Sequence, residues 1–77
     1  MITLFTKPGC PYCARVITRI DELSIPYKEK SIVDEENLNE LISRGKKRQV
    51  PYMIDEEKGV EMYESNNIIQ YLESLRV

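Results

Sequence analysis

Thr6-Lys7-Pro8-Gly9-Cys10-Pro11-Tyr12-Cys13 joins a short apolar run, Ile2-Thr3-Leu4-Phe5, to a stretch in which apolar side chains recur at helical spacing. The reading of this junction decides the fold. The run before it is a strand candidate, Lys7-Pro8-Gly9 is a break, and the chain then enters a helix through Pro11. Proline suits a first helical turn because its missing N–H would have no intrahelical partner there. Cys13, Val16, Ile17, Ile20 and Leu23 form one apolar stripe, and Ser24-Ile25-Pro26 ends it.

Outward from this junction the pattern alternates. Residues 27–33 read as a second, half-exposed strand carrying Lys28, Glu29 and Lys30. Asp34 is placed to cap a second helix, with Glu35 and Glu36 in its first turn, Leu38, Leu41 and Ile42 on its apolar side and Gly45 as its stop. Lys46-Lys47-Arg48-Gln49 is a basic loop leading into Val50-Pro51. Residues 52–54 and 60–62 are short strands around the turn 55–59, which predicts a hairpin. Ser65 is expected to cap a last helix that buries Ile68, Ile69, Leu72 and Leu75. The order is βαβ then αββα, with no repeat or linker, so residues 1–77 are read as a single α/β domain. A βαβ unit implies a parallel strand pair.

Composition narrows the function classes. Eleven basic and thirteen acidic residues give a net charge of −2, which argues against general nucleic-acid affinity. The sequence has no apolar run near membrane-spanning length and no leader-like segment. The expectation is a cytoplasmic chain without a membrane partner, where an isolated Cys-x-x-Cys points to redox or metal chemistry rather than to a structural staple. A bridge across two intervening residues would close too short a loop to stabilise much through chain entropy.

Cys10 and Cys13 are the only cysteines. The thiolate is the attacking species, and Cys10 falls just before a helix, where free N–H groups and the positive dipole end favour an anion. Lys7 adds a nearby cation. Cys13 lies on the apolar stripe and is therefore expected to be less exposed. The pair reads as Cys10 the nucleophile and Cys13 the resolving thiol. Stabilising a thiolate gains little in attack, because nucleophilicity falls with basicity; it chiefly improves the sulfur as a leaving group. A zinc half-site is the competing use of such a pair, but without histidine or further cysteine it would need carboxylate ligands, so no metal is expected. Tyr12, between the cysteines, is read as facing substrate, with a plain surface aromatic as the alternative.

The run from Thr6 to Cys13 together with Val50-Pro51 resembles the glutaredoxins, small enzymes of the thioredoxin fold, and the resemblance covers essentially the whole chain. It implies a four-stranded mixed sheet flanked by three helices. It also implies reduction of protein disulfides and glutathione mixed disulfides, with glutathione as co-substrate, no resident cofactor, and a monomer. It implies a cis Val50–Pro51 bond with the Val50 backbone pairing with glutathione. An ordinary edge-strand proline is the alternative reading of Pro51. Lys7 and Arg48 match positions that hold a glutathione carboxylate, whereas Lys46 and Lys47 are read as solvated charges and Gln49 is left without a role. The stretch Glu64-Ser65-Asn66-Asn67-Ile68 departs from the glycine-rich pattern of many glutaredoxins. It is similar instead to the Glu-Ser segment of glutathione transferase N-terminal domains, which implies that Glu64 and Ser65 bind the γ-glutamyl end. Two enzymatic roles and two binding roles therefore stand side by side: reduction by glutathione, reduction by thioredoxin reductase, an iron–sulfur cluster shared through glutathione, and a glutathione-binding module without redox activity.

Overall fold

The computed structural model describes residues 1–76. It contains β1 (Ile2–Thr6), α1 (Pro11–Glu22), β2 (Tyr27–Ser31), α2 (Glu35–Gly45), β3 (Tyr52–Asp55), β4 (Val60–Tyr63) and α3 (Ser65–Ser74). The four strands form one sheet in the order β2-β1-β3-β4. β1 pairs parallel with β2, in register Ile2 with Tyr27, and antiparallel with β3, in register Leu4 with Met53; β3 and β4 form the expected hairpin. This is the thioredoxin-like four-stranded mixed sheet with three helices that the resemblance implied.

The two-residue period of the strands explains the layering. Ile2 and Leu4 of β1 and Met53 of β3 meet Val16 and Ile20 of α1 and Ile68 and Leu72 of α3 on one face. Phe5, Tyr52 and Ile54 point the other way and meet Leu41 of α2. With helices on both faces the central strands are apolar on both sides, as in other sheets covered twice. β1 is thus fixed from above and below, and the loop at its C-terminal end carries Cys10.

Four expectations need correcting. The second strand ends at Ser31 rather than Val33, because the chain turns at Ile32 and Val33, where the Val33 N–H bonds the Ser31 hydroxyl at 3.3 Å. Ile42 is 42% exposed rather than buried, since the short α2 turns only Leu41 fully into the core. Tyr52, which as the first residue of a short strand after Pro51 would be half-buried at an edge, is fully enclosed between Phe5 and Tyr63. Gly45 is the last helical residue and not the left-handed stop; that conformation belongs to Lys46, at φ 68°. A Cβ at position 45 would strike the Tyr63 ring, 2.9 Å from its Cζ, so glycine stands there for room.

Candidate active site

Gly9 lets the chain turn out of β1, since its φ of 75° is costly for a residue with a side chain. The next residue, Cys10, is the N-cap of α1, extended at φ −88° and ψ 110°, and its Sγ accepts the N–H of Cys13 at 3.2 Å. A sulfur therefore fills the place that a serine or aspartate oxygen usually takes at a helix start. No acidic side chain lies in the first turn of α1, so the positive end of the helix acts on that sulfur alone.

The two thiols differ sharply. Cys10 is partly exposed, whereas Cys13 is 2% exposed on the inner face of α1. Burial, and next the bond to the Cys10 sulfur, pushes the Cys13 thiol up to about 12. Cys13 therefore stays protonated at neutral pH. A small hollow of about 310 Å³ beside the pair is lined by both cysteines, Thr6 and Glu29, and the Thr6 hydroxyl donates to the Glu29 carboxylate at 2.7 Å.

On the opposite side of Cys10 lies a larger cleft of about 550 Å³, lined by Lys7, Cys10, Tyr12, Arg48, Gln49 and Val50 among others. It adjoins a second cleft of about 400 Å³, lined by Tyr12, Arg15, Gln49, Val50, Pro51, Glu64 and Ser65, among others. Tyr12, Gln49 and Val50 belong to both. All nine residues singled out in the sequence thus stand in or beside one continuous groove, except that Cys13 lies just beneath it. Tyr12 is 58% exposed on the rim. The Val50–Pro51 peptide is cis, as the resemblance implied.

The far end of the groove is the start of α3. Its N-cap is Glu64, not Ser65 as the sequence suggested; Ser65 is the first helical residue and is buried. Glu64 sits at φ 71° and ψ 116°, a sparsely populated region that costs a non-glycine residue about 1–3 kcal/mol. Its carboxylate makes no capping bond of its own. Instead it accepts the side-chain amide of Gln49 at 3.3 Å. The groove therefore has Lys7 and Arg48 near the sulfur, and at the other end Glu64 and Arg15 beside an uncapped helix start. That distribution suits a small ligand with a carboxylate at one end and an ammonium with a second carboxylate at the other.

Two groove residues escaped the sequence reading. Arg15 lies one helical turn after Tyr12, so its place on the same face was readable from periodicity; it also donates to Asn66 of α3 at 2.9 Å. Gln49 had no such signal, because its contact with Glu64 spans fifteen residues. Among the described residues no group of three or more histidine, cysteine or acidic side chains is arranged to hold a metal ion. No helix among them is long and apolar enough to cross a membrane.

Comparison with known proteins bears on this geometry. The family described as Glutathione S-transferase, N-terminal domain matches residues 4–77. The global transcriptional regulator Spx of Listeria innocua is 43% identical over 35 residues, 46% of this chain and 27% of that one. Among solved structures, glutathione transferase Omega 3C from Trametes versicolor is 27% identical over 96% of this chain and 33% of its own, with a TM-score of 0.83. A glutathione transferase homologue from Sulfitobacter with bound glutathione is 20% identical over 99% of this chain and 37% of its own, with a TM-score of 0.81. A thioredoxin-like protein is 22% identical over 94% of this chain and 99% of its own, at 0.80. The chain spans about a third of the length of these transferases and about a quarter of Spx.

Proposed function

The chain belongs to the glutathione S-transferase N-terminal-domain family, and from that premise we propose that it is a glutathione-dependent thiol–disulfide oxidoreductase of the glutaredoxin type. The observation that carries the reading is the Cys10 sulfur, which caps α1 at the mouth of a groove with cations at one end and Glu64 at the other. A binding module without redox chemistry would have no use for a second, buried thiol 3 residues further on.

The chemistry follows from the two thiols. The Cys10 thiolate attacks the glutathione sulfur of a mixed disulfide; a Cys10–glutathione bond forms, and the substrate leaves as a thiolate that takes a proton from water. A second glutathione thiolate then attacks the glutathione sulfur of that bond. Oxidised glutathione departs and Cys10 is regenerated. One half of it comes from the substrate's own mixed disulfide and the other from the incoming glutathione, so each turn consumes one free glutathione and frees the substrate as a thiol. With a protein disulfide, Cys13 loses its proton as it attacks the Cys10 sulfur of the mixed disulfide. The Cys10–substrate bond breaks and the substrate leaves with both its thiols reduced. Two glutathiones then reduce the Cys10–Cys13 disulfide in turn, leaving as oxidised glutathione. Lys7 and Arg48 hold the glycine carboxylate, Val50 pairs with the peptide backbone beside Pro51, Tyr12 covers the sulfur, and Glu64 with the Ser65 N–H receives the γ-glutamyl end. No resident cofactor takes part. The protein works as a monomer in the cytoplasm, where reduced glutathione is supplied, on glutathionylated or disulfide-bonded proteins.

The test is a glutathione-coupled assay on a small glutathione mixed disulfide. Cys10→Ser should remove turnover while Cys13→Ser retains it. Equal loss in both variants, or an inactive wild type, sinks the proposal. The family match favours a second reading, transfer of glutathione to an electrophile. Conjugation of an aryl halide without any disulfide reduction would select it.

A further inference from the structure

We propose that Tyr63 is a positioning residue of the glutathione groove, latching the loop of residues 46–49 to the corner where β4 meets α3. The inference rests on the function proposed above for its ligand, and on contacts outside the groove for its substance.

The loop needs an external tie. It belongs to no helix or strand, yet Arg48 stands in the cleft beside Cys10 and Gln49 lines both clefts. Tyr63, the last residue of β4, supplies that tie from behind. Its hydroxyl donates to the Lys47 carbonyl at 2.9 Å. Its ring lies 4.4 Å, centroid to centroid, from the buried Tyr52, and the Lys47 ammonium sits 5.6 Å from its centroid. Gly45 clears the space the ring occupies at the end of α2. One residue on, Glu64 takes the Gln49 amide. The loop is thus tied twice to adjacent residues of one corner.

Tyr63 does not appear among the described residues that line either cleft. Whatever it does for the ligand therefore passes through the loop. When a site is competent only in one loop arrangement, apparent affinity falls in proportion to the population of that arrangement. Both sulfurs sit at the start of α1 and stay in place when the loop opens. Loss of the latch should therefore raise KM for glutathione and leave kcat unchanged.

The experiment compares wild type, Tyr63→Phe and Gly45→Ala in the glutathione-coupled assay and in limited trypsin digestion, which reads loop opening after Lys46, Lys47 and Arg48. Tyr63→Phe removes one hydrogen bond and should raise KM for glutathione about 3- to 10-fold, with kcat within about twofold of wild type. Cleavage at the three loop sites should quicken by a similar factor, since nicking follows the open population, and cleavage elsewhere should not change. Gly45→Ala should act in the same direction, although alanine is the better helix former, because its Cβ displaces the Tyr63 ring. An unchanged KM in both variants overturns the proposal, as does a fall in kcat matching the rise in KM. A wild type without glutathione turnover removes the function proposed above. The latch is judged separately by digestion, where equal loop cleavage of wild type and Tyr63→Phe overturns it.

Discussion

The starts of α1 and α2 use the same backbone physics for different ends. Both helices leave their first N–H groups without intrahelical partners. At α2 the Asp34 carboxylate accepts the Glu36 N–H at 2.9 Å, and Glu35 and Glu36 place further negative charge against the positive dipole end. At α1 the cap is a cysteine sulfur and the first turn holds proline, tyrosine and cysteine, none of them charged. The first arrangement completes the helix with the chain's own carboxylates. The second leaves its electrostatic pull to the Cys10 sulfur. The start of α3 shares with α1 a first turn free of acidic side chains, but its N-cap Glu64 makes no capping bond with its own side chain. The two helix starts without acidic residues in the first turn border the groove, whereas Asp34, Glu35 and Glu36 of the acidic one do not line it.

This contrast is exposed to four tests. The largest effect is expected from Cys10→Asp, which gives α1 the kind of cap α2 has. Turnover should fall on the order of 10³-fold or more, while the better cap adds about 0.5–1 kcal/mol of stability. A Cys10→Asp protein less stable than wild type would mean that the start of α1 is not short of a cap. The next test sets the buried thiol apart from the capping one. The folded chain holds the Cys13 proton up to about 12 against an ordinary 9.0. Folded protein therefore keeps a proton that unfolded chain has lost between those values, and stability drops as pH rises through that window. By pH 10.5 the loss should reach about 2 kcal/mol, with a shallower slope in Cys13→Ser; urea unfolding at pH 8.5 and 10.5 measures it.

A third test addresses the two ends of the groove. Arg48→Ala and Glu64→Gln should each raise KM for glutathione about tenfold, the scale of one hydrogen bond to a charged group. If both match wild type, the ligand does not lie where the charges place it. The smallest effect belongs to α2. Asp34→Ala should cost about 1 kcal/mol, a fall of about 4–8 °C in Tm for a domain of this size, with activity unchanged. Lost activity there would erase the distinction between the two helix starts.

The sequence was most legible where the information is local. The stripe Cys13, Val16 and Ile20 gave α1 its buried face, and Asp34 gave α2 its start, because a helical period and a cap depend on residues a few positions apart. The cysteine pair was readable for the same reason. Ser65 was misjudged by one position, since serine is the favoured capping residue and the positive φ that puts Glu64 at the cap instead has no sequence signature. Gly45 was misread because a helix stop and a close approach call for the same residue, and the Tyr63 ring that requires the space lies 18 positions away.

From the amino-acid order alone came the sequence of strands and helices and the cysteine pair at the start of α1, while the charged residues proposed for the ligand came from the family resemblance. Periodicity, caps and proline restrictions act over one or two turns of chain, so they are written in adjacent letters. Only closure of the sheet brought the loop after α2 against the corner of β4 and α3 and joined the two clefts across Gln49 and Val50. Those outcomes depend on which faces meet when β1 pairs with both β2 and β3, and that is a property of the packed molecule.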